Sequence, residues 1–122
     1  MLFINLISAW FFGFLLSIPN PNLVIEAENR ILSWEFSAGL FLDSILCGMI
    51  MYIMVAIYKR KSVEGIAIII LGIPLFIMSG FQHCIANMII LGVAKTLSPH
   101  IITVIIGNTF GSIVADILNN IE

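Results

Sequence analysis

Charge is scarce in this chain. Only 10% of its 122 residues are Asp, Glu, Lys or Arg, while 61% are hydrophobic. An ordinary soluble domain carries about 25% charged and about 45–50% apolar residues. A domain this small leaves much of its surface exposed, so it has no interior large enough to hide that apolar excess. Cationic charge is scarcer still: five Lys and Arg face seven Asp and Glu, for a formal net charge of −2. Nucleic acid would need a basic field that is not there. Cysteine is limited to Cys47 and Cys84, both inside apolar runs, and no CxxC or CxxCH spacing occurs. Metal, haem and disulfide frameworks therefore lack their ligand pattern, and no cofactor is expected. No nucleophile, base and orienting group share a recognisable pattern, so no enzyme is expected. Residues 1–18 lack a basic start and a small-residue cleavage site, which favours a retained helix over a removed leader.

Long apolar runs dominate what remains, and they predict an all-α integral membrane protein with the lipid bilayer as its main partner. The first run covers residues 1–18 and stops at Pro19-Asn20-Pro21-Asn22. Residues 23–36 mix Glu26, Glu28, Arg30 and Glu35 with Ile25, Ile31, Leu32, Trp34 and Phe36. They read as an interfacial segment with Trp34 at headgroup depth. The second span is 37–58, interrupted early by Asp43 near the membrane edge or in a wet vestibule. The third run, 66–94, is too long for one simple helix and too polar at its centre. Ser98 and Pro99 then open a final span over 101–118, with Asp116 near its exit.

Lys59, Arg60 and Lys61 lie between two apolar runs, where a cytoplasmic loop belongs. Placing 59–65 inside a cell membrane makes the chain multi-pass and puts residues 119–122 in the cytoplasm. Residues 4–9 (INLISA) resemble 107–112 (GNTFGS): each sets an Asn three residues before a small residue that lets helices approach closely. If that likeness reflects common origin, the first and last spans are equivalent helices of inverted repeats.

The informative stretch is Phe76 to Met88, FIMSGFQHCIANM. Gln82, His83 and Asn87 would fall at mid-depth, where polar groups are expensive and call for a reason. A helix-packing patch, with His83 and Asn87 bonded to neighbours, is the plain alternative. Gly80 stands just before the cluster, and the run is long enough for two half-helices broken near 80–87. Such a break turns unpaired N–H groups and a positive helix end toward the interior, where they suit an anion.

The run Gly80 to Met88, GFQHCIANM, resembles the signature of the formate/nitrite transporter family, GFEHSVANM or GFEHSIANM. Gly80, Phe81, His83, Ala86, Asn87 and Met88 coincide, and Phe76 falls at a constriction phenylalanine. Ile45-Leu46-Cys47 is similar to the family's fourth-helix ILCN, residues 106–111 to its sixth-helix GNIIGG, and the neighbourhood of Asn5 to its third helix. The resemblance covers nearly the whole chain, but only the C-terminal half, or slightly more, of a family member. It implies an aquaporin-like half repeat and a pore in a homo- or hetero-oligomer, pentameric in the family. The pore would carry a small monovalent anion such as formate or nitrite, or its protonated acid. The resemblance makes His83 the central histidine, Asn87 the support of the broken loop and Phe76 part of a constriction, with Gly80 and Gln82 in the break. It leaves Arg30 as a stand-in for a vestibule lysine.

Four departures weigh against a working pore. Gln82 replaces a glutamate, Cys84 a serine and Gly48 an asparagine, and Asp43 lies where a basic residue is common. A pore of two repeats also cannot close with one, so a second polypeptide, a second copy or loss of transport would follow. The competing expectation is an accessory or remnant membrane protein that does not transport. A metal or redox centre built on His83, Cys84 and His100 is the weakest reading, since one adjacent pair does not converge as ligands must.

Overall fold

The computed structural model describes residues 1–121, with every side chain in that range except that of Ile77. Six helices, and no strand among the described residues, run in the order α1 (Leu2–Ser17), α2 (Pro21–Leu32), α3 (Ala38–Tyr58), α4 (Val63–Met78), α5 (Cys84–Val93) and α6 (His100–Asn120). The fold is all-helical. Two of the helices, α3 and α6, each have 21 residues and are long and apolar enough to cross a membrane. α1, α4 and α5 have 16, 16 and 10 residues, short of the roughly 20 that a crossing needs. The expected first span of 1–18 is thus a shorter helix.

Local chemistry sets the boundaries. Pro21 opens α2, where its missing N–H costs nothing. The Ser37 hydroxyl caps α3 by accepting the Leu40 N–H at 3.1 Å. The Ser62 hydroxyl does the same for the Gly65 N–H at 3.2 Å, at the start of α4. Helix α5 ends at Val93, and Lys95, two residues on, takes a left-handed φ of +57°. The Thr96 N–H there reaches the Leu91 carbonyl, and the Lys95 N–H reaches that of Gly92. That pair of bonds satisfies two of the carbonyls that a helix end leaves unpaired.

Helices α3 and α6 lie parallel with a constant offset. Ser44 meets Asn108, Gly48 meets Ser112 and Tyr52 meets Asp116, always 64 residues apart. The two backbones touch through glycine. A β-carbon on Gly48 would sit 2.0 Å from the Asn108 carbonyl oxygen, and one on Gly111 would sit 2.0 Å from that of Ile45. Gly107, Gly111 and Ala115 follow one another at four-residue spacing along the buried face of α6. Small residues at that spacing allow helices to approach this closely. Helices α1 and α5 repeat the arrangement: Gly13 abuts the Ile89 carbonyl and Gly92 that of Trp10. Leu6, Ala9, Trp34, Leu40, Cys84, Met88, Leu91 and Val104 form the core where these pairs meet.

Trp34, expected at headgroup depth, packs into this core. It is buried, and its ring meets His100, at the start of α6, edge-on. Asn5 and Asn108 also differ, the first exposed and the second buried, so the proposed equivalence of α1 and α6 does not extend to their asparagines.

Gly48→Ala and Gly111→Ala should each destabilise the purified protein by about 1–3 kcal/mol, because backbone cannot yield as a side chain can. Gly39→Ala, whose β-carbon would meet nothing closer than Ser37 Oγ at 3.5 Å, should stay within about 0.5 kcal/mol. Denaturation midpoints compare the three.

Candidate functional site: a broken helix held by an asparagine

Pro74 sits inside α4, which ends one turn later at Met78. Gly80 then takes a φ of +72° with nothing within 4 Å of where a β-carbon would stand. Glycine adopts that angle freely, whereas an L side chain is strained there whatever the space. Residues 79–83 are the whole of the break. The expected loop at 80–87 is shorter than its boundaries, because Cys84 to Asn87 already form the first turn of α5 behind a His83 cap.

Asn108 of α6 holds the break in place. Its Oδ1 accepts the Cys84 N–H at 2.8 Å, one of the donors that a helix start leaves unpaired. Its Nδ2 donates to the carbonyls of Ser44 and Gln82, each at 2.8 Å. One amide thus ties α3, the break and α5 to α6. Within the break, Asn87 Nδ2 donates to Gln82 Oε1 at 2.7 Å. Every buried side-chain nitrogen and oxygen among the described residues has a partner.

His83 caps α5 with its ring: Nδ1 accepts the Ala86 N–H over a long 3.4 Å. An accepting Nδ1 leaves the ring proton on Nε2. Phe76 meets the ring edge-on with centroids 5.9 Å apart, and Phe81 lies 5.9 Å from Phe76. The break divides two hollows. One, of about 440 Å³, is lined by Arg30, Trp34, Glu35, Ser37, Asp43 and Gln82 among others. The other, of about 340 Å³, is apolar and lined by Ile50, Met54, Gly72, Leu75, Phe76 and Phe81 among others.

Phe76, Gly80, Gln82, His83 and Asn87 thus come together around the break. Arg30 joins them only through the hollow it shares with Gln82, and it shares that hollow with Glu35 and Asp43 as well. The Gln82 side chain turns to Asn87, the neighbour it bonds. His100 lies elsewhere, stacked on Phe36 at 3.9 Å with its Nδ1 2.7 Å from Ser98 Oγ. No group of three or more His, Cys, Asp or Glu converges among the described residues. Gly48 is a positional requirement, since an asparagine there would collide with the Asn108 backbone.

Asn108 was not among the residues expected at the site. Its signal was present: an asparagine inside Gly-x-x-x-Gly, on a helix that is otherwise apolar. No family model matches the chain, and no curated protein or solved structure matches it.

Asn108→Leu should strip partners from the Cys84 N–H and the Gln82 carbonyl, and a second bond from the Ser44 carbonyl inside α3. Each buried group left unpaired costs about 1–3 kcal/mol, so the loss should exceed that of Asn87→Leu, which frees only the Gln82 amide oxygen. Amide hydrogen exchange at 80–86 should speed up in Asn108→Leu well before global unfolding. Unchanged protection there would contradict the bracing role.

Proposed function

We propose that this chain is an integral membrane protein forming the core of a pore for a small monovalent anion, or its protonated acid, of the formate/nitrite class. The observation that carries the reading is the broken helix, with an imidazole at the head of α5 and a phenylalanine edge against it. The resemblance of GFQHCIANM to the transporter signature supports the same reading.

The apolar surface supports the membrane. Helices α3 and α6 expose Leu42, Leu46, Ile53 and Val55, and Ile102, Ile106, Phe110, Ile113 and Ile117. Water would penalise so many large side chains, and a bilayer accepts them. With 59–65 in the cytoplasm, the polar hollow opens to the other side. A second polypeptide, or a second copy of this chain, completes the wall of the pore and makes it an oligomer. The exposed Asn5 gives α1 a polar contact for such a partner.

The chemistry follows from the price of charge. A bare anion is excluded from an apolar passage, whereas its neutral acid is not. The proton reaches the anion through His83, drawn from water. A neutral ring presents Nε2–H as a hydrogen-bond donor but has no proton to give away. Loading a second proton occupies Nδ1 and surrenders the Ala86 cap. Proton loading and loosening of the α5 start are therefore one event, and passing the proton to the anion restores the cap. The neutral acid then crosses the Phe76 constriction.

A second reading is a membrane protein that does not transport. Its support is the polar hollow, where Glu35 and Asp43 outnumber Arg30 and leave one net negative charge against an incoming anion.

Liposomes containing the chain with its pore partner should take up formate, and the flux should fall as pH rises, because protons to neutralise the anion become scarcer. His83→Asn keeps an acceptor for the helix cap and cannot shuttle a proton, so it should cost at least tenfold in flux with little change in stability. His83→Ala should lose both. Flux through His83→Asn equal to that of the native chain would overturn the transport reading.

A further inference from the structure

The turn between α3 and α4 gathers charge at a place the pore does not use. Lys59, Arg60 and Lys61 are consecutive and exposed, and Glu64 is the one acidic residue beside them. The turn is tightly built. The Arg60 N–H bonds the Ile57 carbonyl and the Lys61 N–H that of Tyr58, each at 3.1 Å. Lys61 takes a left-handed φ of +51°. Gly65 presses against the end of α3, where a β-carbon would stand 3.0 Å from the Ile57 oxygen. Three like charges are thereby crowded into a short, fixed loop, and nothing within it neutralises more than one of them.

Beside the loop lies a cavity of about 450 Å³ lined by Tyr58, Lys59, Lys61, Ser62 and Ile66. Its lining grades from ammonium and hydroxyl groups to hydrocarbon. The hydrocarbon continues along α4, because Ile66, Ile70 and Ile73 share one helical face and are all exposed. The matching ligand has an anionic head and an apolar tail.

We propose that this cavity binds the headgroup of an anionic phospholipid. The phosphate lies between Lys59 and Lys61 within reach of the Tyr58 and Ser62 hydroxyls, and an acyl chain runs along Ile66, Ile70 and Ile73. The site rests on the membrane reading above and is independent of whether the pore conducts. Charge complementarity selects the occupant. A cytoplasmic leaflet is negative, and each Lys or Arg near it contributes about 1 kcal/mol, or roughly fivefold in affinity. The apolar face of α4 separates a lipid from free phosphate, which would have no use for it.

The test uses the full chain purified in a neutral detergent, with bound lipid read by native mass spectrometry. Phosphatidylglycerol should be retained about tenfold better than phosphatidylcholine, and glycerol 3-phosphate should not compete at equal concentration. The double variant Lys59→Gln, Lys61→Gly removes two cations and keeps the left-handed turn, because glycine accepts that φ. It should bind phosphatidylglycerol roughly 25-fold more weakly at an unchanged melting temperature. Arg60→Gln, outside the cavity lining, should lose less than Lys59→Gln alone. Equal retention of the two lipids, survival of the preference in the double variant, or full competition by glycerol 3-phosphate would each overturn the site. An Arg60→Gln loss matching that of Lys59→Gln would replace it with diffuse charge attraction. Alkaline extraction of cell membranes separates the two levels of failure. Release into the soluble fraction overturns the membrane reading along with the site, whereas retention without lipid preference overturns the site alone.

Discussion

A helix interrupted among apolar neighbours must find partners for the backbone groups that the interruption frees. Each amide or carbonyl left unpaired there costs free energy on the scale of the whole protein's stability margin. At the break 79–83, Asn108 supplies two of those partners, for the Cys84 N–H and the Gln82 carbonyl, and its third bond ties the break to the Ser44 carbonyl inside α3. A carboxamide suits the task, since its oxygen accepts from the start of one helix while its nitrogen donates to two carbonyls. Aspartate would offer no donor at neutral pH, and leucine would offer nothing. The imidazole stays at the head of α5 only as long as that bracing holds.

Bracing of this kind needs backbones in near contact, and the glycines provide it. Asn108 reaches the Ser44 carbonyl because Gly48 and Gly111 let α3 and α6 close to a distance that any β-carbon would forbid. The parallel offset of 64 residues then fixes which side chain faces which. Close packing and the polar network are thus not separable contributions. Widening the crossing would stretch the asparagine bonds, and losing the asparagine would leave polar groups facing one another across a tight interface. Energies for substitutions at Gly48 and Asn108 should therefore combine non-additively, as expected for residues in direct contact.

Much of this was legible in the residues. Long apolar runs gave helices, the Pro-Asn-Pro-Asn stretch gave the end of α1, and Gly80 beside a polar cluster marked an interruption. What escaped reading depended on tertiary contact. The loop boundary moved because a histidine can serve as a helix cap, which turned Cys84 to Asn87 into a first turn. The charged neighbours of Trp34 pointed to headgroup depth and gave no sign of its burial against His100. Asn5 and Asn108 look alike in sequence, and only the partners around each one tell them apart. Asn108 itself was visible as an asparagine between glycines, but its role required knowing that a break lay opposite.

The charges at the polar hollow bear on the same chemistry. Arg30 faces Glu35 and Asp43 there, so an anion approaching Gln82 meets a site that does not attract it by net charge. A neutral acid meets no such barrier. On the proposed reading, the anion must be neutralised at the break to pass this barrier. The proton passed on by His83 on that reading removes the charge before the solute meets Phe76. While Nδ1 accepts the Ala86 N–H, the neutral ring keeps its proton on Nε2. Because loading Nδ1 surrenders the Ala86 cap on that reading, the asparagine network is what must hold the start of α5 while the ring carries its second proton.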